Sequence, residues 1–159
     1  MPDPIVTAAC ELFDGSVDGL HDAVDGLSAE ALNWRPAGED TNPIGVLAVH
    51  VMGSTRSWLA VAFGAPLPDR DRPAEFRTVA GGEAELLVRV DRMAGDCRLL
   101  FDGADVFDPA AMRTSHSRSS SGEAEIVSGA WALLHAVEHL SEHVGHAQLT
   151  RQLWERREA

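Results

Sequence analysis

Apolar residues recur at steps of three and four along four stretches of the chain, which is the periodicity of amphipathic helices. The pattern predicts four long helices, over residues 5–27, 43–63, 83–101 and 128–156. Asn42 followed by Pro43 predicts a capped start for the second helix, because the asparagine can accept a backbone hydrogen bond and the proline tolerates the first turn. No stretch shows a convincing strand pattern. We therefore expect an all-α four-helix bundle in a single domain, residues 1–159.

The segments between these helices are less regular. Residues 28–42 read as a connector with one short turn from Ser28, and the Pro- and Arg-rich segment PLPDRDRPAEFRTVAGG reads as a second connector. Residues 102–127 are the least regular part, and TSHSRSSSGEAEIV fits either a loop or a short hairpin. The bundle is therefore expected to carry an irregular loop before its last helix.

Composition and charge narrow the possible partners and the location. The chain has 13 basic and 25 acidic residues, so its formal net charge is −12, which argues against a nucleic-acid binder and against docking on anionic membranes. All 13 basic residues are arginine, which excludes a lysine Schiff base. No apolar run approaches the about 20 residues of a membrane span, and the start of the chain does not resemble a secretion signal. Cys10 and Cys97 read as two buried thiols, so we expect a cytoplasmic protein.

Histidines are concentrated in the last predicted helix. Four of the seven fall within twelve residues, at His135, His139, His143 and His146. The first three are spaced four apart and therefore share one helical face, on which neighbouring imidazoles can bind one ion. A lone histidine is usually a satisfied core or surface residue, but a cluster of this kind favours metal binding. Apolar residues flank the stripe, so part of it is expected to face the core: Trp131, Leu134, Leu149 and Leu153.

A third ligand would have to come from another helix. His50 lies on the apolar side of the second predicted helix, so it is expected to enter the bundle core. Metal sites in helical bundles are built from inward side chains on facing helices. Three nitrogen ligands with open positions are typical of a catalytic site rather than a closed structural one.

Two segments resemble a known family. LNWRPAGEDTNPIGVLAVHVMGSTRSWL and HAVEHLSEHVGHAQLTRQLW are similar to the two signatures of the DinB-like (DinB/YfiT-like) metal-binding bundle superfamily. The resemblance implies a four-helix bundle with a metal bound by His50, His139 and His143. It makes His135 and His146 pocket or supporting residues. Members often carry glutamine at the position of His146.

The resemblance also implies thiol chemistry, since characterised relatives include thiol-dependent S-transferases and a mycothiol-dependent isomerase. The expected function is transfer of a low-molecular-weight thiol, of the mycothiol or bacillithiol class, to an electrophilic small molecule. A divalent metal, with zinc as the first expectation and nickel or iron as alternatives, would lower the pKa of the coordinated thiol. The alternatives are a metal-dependent hydrolase and a non-catalytic metal-binding or stress-related protein. A homodimer is expected, because the exposed flank of such bundles often pairs.

Three further residues are candidates for catalytic roles. Glu142 neighbours a predicted ligand and could orient an imidazole or move a proton, although a solvated carboxylate is the more ordinary reading. His146 lies one turn beyond His143. Arg151 lies eight residues beyond His143 and so returns near the same face, where it could recognise an anionic group.

Overall fold

The computed structural model describes residues 3–104, 107–118 and 124–157. Within these ranges the chain forms six helices and two strands: α1 (Pro4–Val24), α2 (Ala29–Leu32), α3 (Ile44–Phe63), α4 (Arg72–Glu75), α5 (Glu83–Asp102), β1 (Met112–Arg118), β2 (Ala124–Ser128) and α6 (Gly129–Arg156). A single 3₁₀ turn, Gly38–Asp40, precedes α3. The four long helices are those that the apolar periodicity predicts, so the all-α bundle is confirmed.

The central helix of the bundle is α3. It packs against α6 and α5, while α1 closes the bundle against the same two helices. The segment Gly38–Phe63 meets the length and composition of a membrane span, contrary to the expectation from the sequence, but 89% of its most apolar stretch is buried inside the bundle. Its apolar character therefore reflects burial on nearly every side of α3 rather than a single amphipathic stripe.

The ends of the long helices follow local chemistry, with one correction. Asp3 accepts a hydrogen bond from Ile5 N at the start of α1, and Ser128 accepts one from Trp131 N at the start of α6. The predicted cap by Asn42 is wrong: Pro43 occupies the N-cap position of α3 and no side chain caps that helix. Pro43 adopts an extended conformation, so the helix begins one residue later than predicted and Asn42 lies one residue too far away.

The irregular region before α6 contains a small hairpin. Strands β1 and β2 pair antiparallel, with Met112 opposite Ser128 and Thr114 opposite Ile126. Residues 119–123, which include most of the serine run, lie outside the described residues. Of the two possibilities that the sequence left open, the hairpin is the one formed. Its strands are short and rich in polar residues, which is why no strand pattern stands out.

The second connector also holds structure that periodicity does not reveal. Asp71 accepts a hydrogen bond from Ala74 N, and Pro73 lies in the first turn, so these residues start the short helix α4. Farther along, the amide side chain of Asn33 donates to Ala80 O and accepts from Ala80 N. These two bonds fasten the end of the connector to the region after α2, and the connector is thereby held over α3.

The buried face of α6 differs from the predicted one. The four residues expected to turn part of the histidine stripe toward the core are 44–60% exposed: Trp131, Leu134, Leu149 and Leu153. The core face is formed instead by Leu133, Ala136, Val137, Leu140, Val144 and Ala147. The predicted stripe is therefore offset by about one residue, and the histidines lie along the edge of the core rather than in its middle. Of the two free thiols, Cys97 is buried and Cys10 is only half-buried.

Candidate metal centre

Three histidines from two helices converge at one side of the bundle. His50 comes from α3, and His139 and His143 come from successive turns of α6. One ring nitrogen from each lies within 4.8 Å of the others, and the ring centroids are separated by 4.5–5.7 Å. His50 is buried, with 7% of its surface exposed, while the other two are half-buried and face outward. The arrangement could hold one metal ion with positions left open for other ligands.

A carboxylate fixes the orientation of His50. Its Nδ1 lies 3.0 Å from Oε2 of Glu75, which leaves Nε2 as the nitrogen able to bind a metal. Arg70 holds the same carboxylate, since its Nε donates to Oε1 at 2.7 Å and its terminal nitrogen donates to Oε2 at 2.8 Å. Burial raises the pKa of Glu75, but the hydrogen bonds from His50 and Arg70 outweigh it, so the pKa is lowered and the carboxylate stays ionised. Partners of this kind fix the tautomer of a metal-binding histidine and raise its basicity.

The space for this carboxylate exists because residue 53 is glycine. Gly53 lies three residues after His50 on α3, on the side that faces α4. A Cβ added there would lie 3.2 Å from Cδ of Glu75 and 3.3 Å from Nε of Arg70, and closer still to Oε1 of Glu75. Phe76 covers the other side, with its ring centroid 4.5 Å from that of His50. Any larger residue at position 53 would displace the group that orients His50.

The two histidines from α6 are held as neutral rings. Burial lowers the pKa of His139 to about 4, with further lowering by His143 and His50. The pKa of His143 is also lowered, first by burial and then by His50 and His146, against an opposing effect of Glu142. Neutral imidazole is the form that binds metals. These pKa shifts keep the lone pairs available at neutral pH.

A buried polar atom at the site lacks a partner. Within the described part of the chain, Nδ1 of His139 is buried and makes no hydrogen bond. Leaving a buried ring nitrogen unsatisfied is unfavourable, and coordination of the ring is one way to offset that cost. Together with the three imidazoles that converge from facing helices, this observation indicates that the residues fit a divalent metal of the zinc, nickel or iron type.

The predicted catalytic residues have different surroundings. His146 lies beside the site, with its Nδ1 3.3 Å from Nδ1 of His143. Glu142 is exposed and acts on His143 through its charge.

Arg151 points elsewhere. Its guanidinium donates to the carbonyl oxygens of Asp22 and Asp25, both at 2.6 Å, and pairs with Glu155 at 2.8 Å. The structure therefore places Arg151 at the carboxyl end of α1 and does not bring it together with the triad. Eight residues along α6 correspond to about 12 Å of helix, which explains the separation.

His135 belongs to an aromatic cluster beside the triad. Its ring stacks on Trp131 at 4.7 Å and meets Trp58 edge to face at 4.8 Å. Its Nδ1 lies 3.2 Å from Oε2 of Glu138, and its ring centroid is 5.6 Å from that of His139. His135 is therefore a neighbour of the site rather than a member of the triad.

A groove of about 390 Å³ opens beside the triad. We call it the His143 groove, and it is lined by Pro36, Asp40, Thr41, Asn42, Leu47, His143, His146, Leu149, Thr150 and Leu153. Through His143, the candidate metal centre therefore adjoins a space large enough for a small molecule.

Reasoning from the sequence missed Glu75, Arg70 and Gly53. The start of α4 could have been recognised, because Asp71 followed two residues later by Pro73 is a helix-start pattern. That signal would have placed Glu75 on a helix, but its contact with His50 spans 25 residues of sequence and depends on how the connector folds back.

Comparisons with known proteins agree with this architecture. No curated protein matches the chain. A solved structure described as a conserved protein of locus from Enterococcus faecalis superposes with a TM-score of 0.68 at 15% identity, and covers 96% of this chain and 97% of its own. At that identity the likeness shows the fold alone, and it agrees with the predicted helical bundle. The sequence profile of the Mycothiol-S-transferase family matches residues 10–155. The match includes all three histidines of the triad, and the chain therefore belongs to the mycothiol-S-transferase family.

Proposed function

We propose that the protein is a metal-dependent enzyme that transfers a low-molecular-weight thiol to an electrophilic small molecule. The observation that carries the proposal is the convergence of three imidazole nitrogens within 4.8 Å, one of them from His143, which also lines a groove. Membership of the mycothiol-S-transferase family supports thiol transfer as the reaction class. A thiol of the mycothiol or bacillithiol class is the proposed co-substrate.

In this proposal His50, His139 and His143 hold the metal, with zinc as the first expectation and nickel or iron as alternatives for the same donors. When bound, such an ion lowers the pKa of a coordinated thiol and makes the thiolate available at neutral pH. Imidazole ligands add no negative charge, so they would leave the full positive charge of the ion to stabilise an anion. A set containing carboxylate ligands would partly cancel it.

The surrounding residues orient and support the ligands. Glu75 and Arg70 keep the Nδ1 proton of His50 directed away from the metal side. His146 contacts the ring of His143 and limits its rotation. We propose that Glu142, exposed at the edge of the site, accepts the proton released by the thiol and passes it to water. Arg151 has no proposed part in the chemistry, since its donors are engaged by α1.

The transfer step conserves atoms and charge. The thiolate sulfur attacks an electrophilic carbon, a carbon–sulfur bond forms, and the leaving group departs with the electron pair of the broken bond. The thiol proton goes to solvent through Glu142. No external oxidant or reductant is required.

The direct test is a thiol screen with mass detection of products. Metal-loaded protein is incubated with mycothiol, bacillithiol or glutathione and a model electrophile such as chlorodinitrobenzene, beside protein treated with a chelator and a His135→Ala control. We expect a conjugate that depends on both metal and thiol, and that persists in the control. Hydrolysed electrophile without conjugate would favour a metal-dependent hydrolase instead. Absence of any product with every thiol would contradict the proposal.

The remaining expectations concern location and assembly. We propose a cytoplasmic location, because that compartment keeps low-molecular-weight thiols reduced. The excess of acidic residues argues against nucleic acid and anionic membranes as partners. A homodimer stays a prediction, which light scattering of the purified protein tests.

A further inference from the structure

The His143 groove follows α6 away from the metal centre. His143, His146, Leu149 and Leu153 line one wall, and this stretch of helix is about 15 Å long at 1.5 Å per residue. The other wall is formed by Leu47 of α3 and by the segment between Pro36 and Asn42. One end therefore lies at a ligand of the triad, and the rest extends over a length suited to a small organic molecule.

The groove contains a continuous aliphatic surface beyond His146. Leu149 and Leu153 are about half exposed, while Leu47 is buried and forms the floor with Pro36 beside it. Exposed apolar side chains concentrated in a concave surface next to a reactive centre are typical of a ligand site, where a bound molecule covers them.

Two side chains in the groove have unused hydrogen-bonding capacity. Thr150 is only 6% exposed, and its hydroxyl makes no hydrogen bond within the described residues. The side-chain amide of Asn42 likewise has no hydrogen-bond partner in the described part of the chain. Because both residues line the groove and neither side chain is engaged by the protein, they are available to hydrogen-bond a polar group of a bound molecule.

Along its length away from the metal centre, the groove disfavours an anionic ligand. Its only charged side chain among the lining residues that the structure describes is Asp40. The nearby Arg35 directs its guanidinium to the carbonyl of Thr41, and Arg151 is engaged by α1. Away from the metal centre, a carboxylate or phosphate on the ligand would therefore meet no cationic side chain among the described lining residues, and the net charge of −12 opposes it further.

We propose that the His143 groove binds the electrophilic co-substrate, and that it selects an uncharged molecule with an apolar body and a polar group that reaches Thr150 or Asn42. The inference rests on the proposed thiol transfer and deepens it. The electrophile lies along Leu149 and Leu153 with its reactive carbon toward His143. The thiol approaches the metal centre from outside the groove.

Binding is tested first without chemistry. Dinitrobenzene lacks a leaving group, so calorimetric titration into zinc-loaded and metal-free protein measures occupancy of the groove alone. We expect saturable binding to both, and an increase in Kd of about tenfold in the double variant Leu149→Ser/Leu153→Ser. The matched control is Leu134→Ser, an equally exposed leucine of α6 that does not line the groove. Should the double variant not fold, Leu153→Ser alone tests the same wall, with about a threefold increase.

Selectivity is tested next by turnover. Chlorodinitrobenzene and chlorodinitrobenzoate differ by one carboxylate and undergo the same reaction. A carbon–sulfur bond forms and the carbon–chlorine bond breaks. Chloride leaves with the electron pair of the broken bond, and the thiol proton goes to solvent. We expect kcat/KM to favour the uncharged compound by about tenfold after correction for their uncatalysed rates, and Asp40→Arg to remove most of that preference. The thiol KM is expected to stay unchanged in both groove variants.

The outcomes separate the two proposals. Binding of dinitrobenzene that depends on the leucines, without conjugation of any thiol, would leave the groove assignment intact and contradict the proposed transferase. Unchanged dinitrobenzene binding in the leucine variant would overturn the groove assignment. So would a rise of the thiol KM without a rise of the electrophile KM, because the groove would then be the thiol site.

Discussion

Replacing Glu75 with glutamine is expected to weaken zinc binding without removing a ligand. The variant keeps the size of the side chain but removes the negative charge of the carboxylate that lies 3.0 Å from Nδ1 of His50. The two side chains are only 9% and 8% exposed, so water cannot replace the lost interaction. Loss of such a partner typically costs about 10–100-fold in metal affinity, which corresponds to about 1.4–2.8 kcal/mol.

The effect is measured by competition with a chromophoric zinc chelator. The matched control is Glu138→Gln, which removes a carboxylate 3.2 Å from Nδ1 of a histidine outside the triad, His135. We expect Glu75→Gln to raise the zinc Kd by about 10–100-fold and the control to change it less than about twofold. Equal effects of the two substitutions, or none from Glu75→Gln, would refute the orienting role of Glu75.

The surroundings of Gly53, Arg151 and Cys97 each predict a measurable effect. Gly53→Ala places a methyl group against the Glu75 carboxylate and should raise the zinc Kd by about tenfold. The control Gly15→Ala adds its methyl group in open space and should leave the zinc Kd unchanged. Equal zinc affinities of the two variants would contradict this prediction. Arg151→Met removes two hydrogen bonds at the end of α1 and should lower the free energy of urea unfolding by about 1 kcal/mol while leaving zinc affinity unchanged. A loss of zinc binding in this variant would show that Arg151 does take part in the metal site. Burial raises the pKa of Cys97 to about 12, so this thiol should react with Ellman's reagent only after denaturation, and rapid labelling of the native protein would disprove it.

The sequence predicts the bundle and the histidine stripe of α6 because both depend on spacing along single helices. The choice of His139 and His143 within that stripe comes instead from the family resemblance. Apolar steps of three and four give the long helices, and residues four apart on α6 necessarily share a face. His50 could be assigned to the core because it lies on the apolar side of the second predicted helix. These are local properties, which the fold preserves.

The parts that were not predicted depend on contacts between distant segments. Glu75 reaches His50 only because the connector folds over α3, and Gly53 is informative only once that contact is known. The offset on α6 has a similar origin. Leu149 and Leu153 fit a helical stripe as well as the true core residues do, and only the packing of α1 and α3 decides which stripe is buried.

The zinc content and zinc affinity of histidine variants, purified without a histidine tag, show whether the triad binds a metal. The wild type and His135→Ala, which lacks a histidine of the same stripe outside the triad, are expected to bind one zinc ion per chain. Alanine at His50, His139 or His143 should weaken binding by about 100-fold or more, since each substitution removes one of three ligands. A wild-type protein that takes up no zinc, or a His135→Ala variant as impaired as the triad variants, would contradict the central claim.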